Sequence, residues 1–205
     1  MYKYVGIFGE MRVGTNYLDQ LCRMNFVDNP VSTLTAEKMV KHEIPDTLRW
    51  LTECNENVDI YDYENMIHPI VIIKNPYSWY QSMIKENVNK TPKELYDRYN
   101  TFYEYFLHFS HDYYRECMLV TYEKVLIDPR GVLEDIAMLI GGSLNKDILI
   151  PDKVPRSAVF TTDRKAFYLQ DGNFGLDGDT IKMITDAVCW DVVHQYGYKE
   201  KVYGV

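Results

Sequence analysis

A chain of 205 residues with 46% hydrophobic residues can bury one sizeable core, whereas two full domains would be cramped. We therefore predict a single domain over residues 1–205. The net charge of −8 argues against a general nucleic-acid-binding protein, because such proteins present a basic surface. The four cysteines lie far apart without a C-x-x-C pair, which favours free thiols over a disulfide framework or a zinc site.

No segment of the chain has the composition of a membrane anchor or a secretion signal. There is no apolar run of ~18 residues, and the first residues lack the apolar stretch of a signal peptide. Widely spaced cysteines also suit a reducing compartment. The sequence therefore predicts a cytoplasmic protein with no membrane segment.

The first predicted elements are a short apolar strand ending at Phe8, a loop bounded by Gly9 and Gly14, and a helix from about Thr15 to Asn25. A glycine loop between a strand and a helix favours anion binding, because the first helical turn presents N–H groups and the positive end of the helix dipole. Arg12 adds a positive charge inside the loop. We predict that this loop holds a phosphate or sulfate-like group, although a plain strand-to-helix turn is the alternative.

The loop has the Gly-x4-Gly spacing of the ATPase P-loop but a different continuation. Thr15 and Asn16 stand where that motif has Lys and Ser/Thr. The lysine that reaches the outer phosphates and the hydroxyl that binds magnesium are thus missing. The loop is therefore predicted to cradle an anion without the parts for metal-assisted phosphoryl transfer.

The remaining elements alternate between strands and helices. The pattern predicts a mainly parallel sheet covered by helices on both faces, an α/β architecture. One long helix is dense in aromatic residues at spacings of three and four, which indicates core packing, with a carbohydrate-stacking surface as the less favoured alternative. In chain order we predict strands at 31–35, 69–73 and 118–121, helices at 77–86, 92–115, 130–140 and 179–195, and a long ordered loop at 151–175.

Three further groups of residues are candidates for the same crevice, because ligands of open parallel sheets bind beyond the carboxyl ends of the strands. Lys74 ends a buried strand, and Ser82 follows on the next helix, so the pair can grip a phosphate. His42 follows Lys41 and is a candidate general base. The late loop supplies the third group, Arg156, Arg164 and Lys165, which could fold over a bound anion. For each of the three groups, ordinary surface exposure is the competing interpretation.

Four motifs, in order, resemble those of the sulfotransferases that use 3′-phosphoadenosine 5′-phosphosulfate (PAPS). The family's first loop reads roughly P-K/R-S/x-G-T-T/x-x-L, its second signature R-N-P-x-x-x-x-x-S, and its third Y-E-D-L-x-x-D-P before a helix and a Gly. A terminal G-Y pair closes the pattern. The corresponding segments here are 11–18, 72–82, 122–129 through Gly141, and 196–198.

The resemblance implies a three-layer, P-loop-like α/β fold, with PAPS as co-substrate, PAP as product and no metal. It implies sulfuryl transfer to a hydroxyl or amine of a small-molecule or carbohydrate acceptor, with His42 as the base. Arg12 takes the place of the family's catalytic lysine, and Lys74 that of an arginine. The implied cofactor-binding residues are Arg12, Val13, Gly14, Thr15 and Asn16 for the phosphosulfate, Lys74, Ser82, Arg164 and Lys165 for the 3′-phosphate, and Tyr122 near the adenine.

Two other functions remain open at this point. A small-molecule or nucleotide kinase can use the same sheet, although the missing Gly-Lys-Ser/Thr ending argues against it. A non-catalytic nucleotide-binding module of the same fold would bind PAP and transfer no sulfate. Binding of PAP compared with ATP and magnesium separates the first alternative from a sulfotransferase, and an acceptor screen separates the second.

Overall fold

The structure is a computed structural model that describes residues 4–31, 67–86, 90–112, 117–152, 162–170 and 174–200. In these ranges it contains three strands and eight helices. The strands are β1 (Tyr4–Phe8), β2 (Ile67–Ile73) and β3 (Met118–Thr121), and the helices are α1 (Thr15–Asn25), α2 (Pro76–Ile84), α3 (Pro92–Asp112), α4 (Tyr122–Ile127), α5 (Pro129–Ile140), α6 (Thr162–Leu169), α7 (Gly178–Ala187) and α8 (Trp190–Gln195).

The three strands form one parallel sheet in the order β1-β2-β3. Phe8 pairs with Val71, and Ile73 pairs with Thr121, so all three strands end at the same edge. Parallel strands require crossover connections, and helices supply them here. The predicted α/β fold with a mainly parallel sheet flanked by helices is thus confirmed.

The central strand β2 is covered on both faces. Side chains alternate between the faces of a strand, and the four consecutive residues 70–73 are all fully buried. A continuous apolar run of this kind is typical of a strand in the middle of a parallel sheet. The position of β2 places the residue that follows it, Lys74, at the centre of the sheet's carboxyl edge.

The aromatic helix α3 packs in the core, as the preferred interpretation of its sequence predicted. The rings of Tyr96, Tyr99 and Tyr103 are fully buried and therefore cannot form a carbohydrate-stacking surface. Their hydroxyls have a structural use, because a buried O–H needs an acceptor. They donate in turn to the carbonyls of Pro76 (2.8 Å), Lys74 (2.8 Å) and Ile72 (3.0 Å).

Two predicted segments differ in the structure. The segment 151–175, predicted as a loop, contains the helix α6. This helix has only eight residues, and the sequence on either side of it is rich in Pro and Gly, so the composition of the whole segment indicates a loop. The predicted last helix is two helices, because Val188 is extended. The Asn100 side chain stabilises this break by donating to the Ala187 carbonyl (2.9 Å) and accepting from the Cys189 N–H (2.9 Å).

Three other predictions meet the structure only in part. Val31 pairs with Val5 in a single parallel bridge, and the rest of the strand predicted there lies outside the described residues. Cys22, Cys117 and Cys189 are free thiols, whereas Cys54 is not described. None of the helices that the structure describes is long and apolar enough to cross a membrane.

Candidate anion-binding site

The loop from Gly9 to Gly14 needs both of its glycines. A Cβ on Gly9 would lie 2.6 Å from the Ile72 carbonyl oxygen, because the loop leaves β1 in close contact with β2. Gly14 has φ of +105°, and a Cβ there would lie 2.4 Å from the ring of Tyr122. The loop is therefore pressed against the carboxyl edge of the sheet on one side and against Tyr122 on the other.

Arg12 adopts a backbone conformation that is unusual for its residue type. Its φ of 69° lies in the left-handed region, which costs a non-glycine residue about 1 kcal/mol or more. Neighbouring contacts hold the loop in this shape. The indole N–H of Trp79 donates to the Met11 carbonyl (2.7 Å), and Val13 is fully buried.

Helix α1 begins directly after this loop. Gly14 stands at its N-cap position, and no side-chain hydrogen bond caps the helix there. The N–H groups of Tyr17 and Leu18 both donate to the Gly14 carbonyl (2.9 and 3.1 Å). The Thr15 side chain is buried, whereas Asn16 is exposed. The positive end of the helix dipole thus faces the loop, as the sequence predicted.

The guanidinium of Arg12 already has an acidic partner. Its Nη2 lies 2.7 Å from Oε1 of Glu86, just beyond the end of α2. The two side chains are 32% and 49% exposed, so the ion pair is solvated and can exchange partners at low cost. An anion that interacts with Arg12 more strongly than the Glu86 carboxylate can therefore take the place of Glu86.

The ammonium of Lys74 lies inside the protein. The Lys74 side chain is only 1% exposed, and its Nζ donates to the Ser82 hydroxyl (2.8 Å), which donates to the Ser78 carbonyl (2.9 Å). Burial lowers the pKa of Lys74 to about 8, with Tyr168 and Glu123 opposing the shift and Arg12 adding to it. Arg12 is thus one of the charges that act on the Lys74 ammonium.

Two aromatic rings enclose the same ammonium. The Nζ of Lys74 lies 3.8 Å from the centroid of the Tyr168 ring and 5.2 Å from that of Tyr122. The two rings also contact each other edge to face, with centroids 5.3 Å apart. Tyr168 belongs to α6, so the segment predicted as a loop contributes a helix to this site.

Glu123 is an acidic residue of the site that the sequence did not single out. It accepts hydrogen bonds from the Asn75 N–H (3.2 Å) and from the Tyr198 hydroxyl, which also donates to the Ile73 carbonyl (3.3 Å). Burial raises the pKa of Glu123, and the Tyr198 hydrogen bond opposes that rise. The pair ties the C-terminal segment to the ends of β2 and β3. Glu123 directly follows Tyr122 in the third motif, which is the signal that was available.

Glu10 is a second acidic residue that the sequence analysis missed, and it lies within the loop itself. It is 1% exposed and forms an ion pair with Arg98 of α3 (2.7 Å). One carboxylate oxygen accepts the Met11 N–H (3.1 Å). No local pattern signals this contact, because the two partners are 88 positions apart.

The structure brings together most of the predicted site residues. Arg12, Lys74, Ser82 and Tyr122 all lie at the carboxyl edge of the sheet beside the glycine loop. Lys165 lies on α6 and is half-buried. Arg164 also belongs to α6, but the structure does not describe its side chain. His42, the predicted base, and Arg156 lie outside the described residues.

Comparisons with known proteins inform the fold. No protein-family model matches the chain, and no curated protein matches it. Among solved structures, the sulfotransferase domain of the Synechococcus PCC 7002 olefin synthase is similar, with a TM-score of 0.52 at 14% identity. The match covers 96% of this chain and 94% of that domain. At this identity the likeness shows a shared fold that extends over nearly the whole chain.

Proposed function

We propose that this protein is a PAPS-dependent sulfotransferase that acts on a hydroxyl or amine of a small-molecule or carbohydrate acceptor. The observation that carries the proposal is the buried pair of Lys74 and Ser82 beside the loop that holds Arg12. A buried ammonium at a strand end, next to a glycine loop, suits a ligand with two separate anionic groups. The fold that the chain shares with a sulfotransferase domain supports this proposal.

In this proposal the two cations have different roles. Arg12, Val13, Gly14, Thr15 and Asn16 bind the 5′-phosphosulfate through the helix N-terminus and one guanidinium. Lys74 and Ser82 bind the 3′-phosphate, and Lys165 and Arg164 assist them from α6. The 3′-phosphate is thus the group that distinguishes PAPS from simpler adenine nucleotides.

The proposed reaction is an in-line transfer. The acceptor oxygen or nitrogen forms a bond to sulfur as the bond between sulfur and the phosphate oxygen breaks. Arg12 neutralises the negative charge that grows on the departing phosphate oxygen. Arginine stays protonated, so Arg12 acts through its charge and not as a proton donor. The acceptor proton passes to a base, for which His42 remains our proposal.

A non-catalytic nucleotide-binding module is the second candidate. The observation that favours it is that both cations already contact groups of the protein, Glu86 for Arg12 and Tyr168 for Lys74. Such a module would bind PAP and transfer no sulfate. The kinase alternative is weaker, because Thr15 and Asn16 replace the Lys and Ser/Thr that hold phosphates and magnesium.

Thermal shift with PAP, compared with ATP plus magnesium, tests the proposal first. We expect PAP at ~1,000 times its dissociation constant to stabilise the protein by about 4 kcal/mol. Stabilisation by ATP-magnesium alone would instead support a kinase. Transfer of labelled sulfate from PAPS to a panel of hydroxyl and amine acceptors then separates an enzyme from a binding module.

His42→Ala and Lys85→Ala form a matched pair for the catalytic step. We expect loss of the His42 imidazole to cut turnover ~100-fold or more while PAP affinity stays nearly constant. Lys85 is exposed and its ammonium lies over the ring of Phe167, so its removal should leave turnover within about twofold of the wild type. A normal rate in His42→Ala would assign the base to another residue.

A further inference from the structure

Helix α6 covers the buried ammonium of Lys74 through one side chain. The ring of Tyr168 lies 3.8 Å from Nζ, within the distance of a strong cation–π contact. On another side the ammonium donates to Ser82, and almost none of the Lys74 surface reaches solvent. Of the two rings that enclose Nζ, that of Tyr168 lies nearer (3.8 Å, against 5.2 Å for Tyr122), so it is the nearer obstacle to an anion that approaches the ammonium.

The other cation of the site is accessible by comparison. The Arg12 side chain is 32% exposed, and its partner Glu86 is on the surface. The glycine loop can therefore receive an anionic group without any movement of α6. The two anion-binding positions of the site thus differ in access, one being open and the other closed by an aromatic ring.

Tyr168 is also connected to the loop. Its ring packs edge to face on Tyr122, whose own ring lies where a Cβ on Gly14 would be. The neighbouring residue Phe167 packs instead against Phe174, 5.7 Å between centroids, and under the Lys85 ammonium at 5.0 Å. The Phe167 and Tyr168 rings also contact each other edge to face, with centroids 5.3 Å apart, but of the two it is the Tyr168 ring that lies over the Lys74 ammonium.

We propose that Tyr168 is a gate over Lys74, which a ligand with a second anionic group must displace and a ligand with a single anionic group leaves in place. The second group competes with the Tyr168 ring for the same ammonium. Binding of a doubly anionic ligand is then coupled to displacement of the Tyr168 ring. This inference rests on the proposed function for the identity of the ligand, but the cover over Lys74 can be tested without any ligand.

The first measurement is the reactivity of the Lys74 amine. An amine-selective reagent is applied to the full chain, and the rate of Lys74 modification is followed by mass spectrometry, with exposed Lys146 as the internal reference. We expect Tyr168→Ala to raise the rate at Lys74 at least tenfold and Tyr168→Phe, which keeps the ring but loses the side-chain hydrogen bond to Lys74, to raise it by less than about threefold. Equal rates in wild type and Tyr168→Ala would overturn the gate.

Phe167→Ala is the matched control for general loosening of α6. It removes the ring that packs on Tyr168, whereas the rings beside Lys74 are those of Tyr122 and Tyr168, so we expect at most about a twofold change in the modification rate. If Phe167→Ala accelerates modification as much as Tyr168→Ala does, the cover belongs to the helix as a whole and the specific role of Tyr168 is wrong.

The second measurement is calorimetric binding of PAP and of adenosine 5′-phosphosulfate, which lacks the 3′-phosphate. In the wild type, PAP must displace the cation–π contact between Tyr168 and Lys74, which corresponds to roughly 2- to 30-fold in affinity. Tyr168→Ala removes this contact in advance and should therefore strengthen PAP binding by that factor. Binding of the 5′-phosphosulfate should stay unchanged. Weaker PAP binding in Tyr168→Ala would make Tyr168 a ligand contact and overturn the gate. If neither ligand binds any variant, the proposed function fails, and the modification rates still decide whether Tyr168 covers Lys74.

Discussion

Replacement of Lys74 by methionine should reveal the buried amine as a pH-dependent change in stability. Burial lowers the pKa of Lys74 from 10.5 to about 8. At a pH between these two pKa values, the Lys74 amine is mostly protonated in the unfolded chain and mostly neutral in the folded chain. The free energy of unfolding contributed by Lys74 therefore rises as the pH rises through this window.

The size of the effect follows from the two pKa values. Each unit of separation is worth 1.36 kcal/mol, and the window between pH 8 and pH 9.5 spans about 1.5 units. The wild type should therefore gain about 2 kcal/mol relative to Lys74→Met between pH 7 and pH 9.5. Taking the difference between the variants removes the contributions of groups common to both, including the buried tyrosines, whose pKa values burial raises.

Urea unfolding at half-unit pH steps measures this difference, provided that both variants unfold in one transition with the same slope. Lys85→Met controls for loss of a positive charge at an exposed position on the same segment. A difference between wild type and Lys74→Met that stays constant over the whole pH range would show that the Lys74 amine is not desolvated, and our account of the site would fail.

Three other substitutions test separate parts of the site. Glu86→Gln should strengthen PAP binding by up to about fivefold in calorimetry, because an exposed ion pair competes for Arg12 by about 1 kcal/mol at most; weaker binding would show that Glu86 orients Arg12. Gly14→Ala should destabilise the protein by about 2 kcal/mol or more in urea unfolding, since its Cβ meets Tyr122 at positive φ, and an unchanged midpoint would contradict that packing. Tyr99→Phe should cost about 1 kcal/mol or more by leaving the Lys74 carbonyl without the hydroxyl, with equal stability as the contrary result.

The framework of the fold could be predicted from the sequence because it depends on local patterns. The apolar run before Lys74 predicted a buried central strand, and Gly9 and Gly14 predicted the turn into α1. Both patterns report the requirements of neighbouring residues on one another. The positions of Arg12, Lys74 and Ser82 at one edge then followed from the rule that parallel strands end together.

The parts of the site that could not be predicted depend on contacts between distant residues. The ion pair between Glu10 and Arg98 joins a loop to a helix 88 positions later, and neither residue belongs to a pattern that anticipates it. Tyr168 lies on an eight-residue helix whose surroundings have the composition of a loop. The break at Val188 likewise depends on Asn100, which satisfies the free backbone groups from another helix.

The three tyrosine hydroxyls of α3 have a consequence for how this helix tolerates change in length. They reach carbonyls of Pro76, Lys74 and Ile72 in decreasing order, so the helix is aligned against the chain at three points at once. One inserted or deleted residue between Tyr96 and Tyr103 rotates one part of the helix against the other by about 100° and separates at least one hydroxyl from its carbonyl. The segment 96–103 is therefore fixed in length as well as in composition, and variation in the length of α3 belongs at its ends.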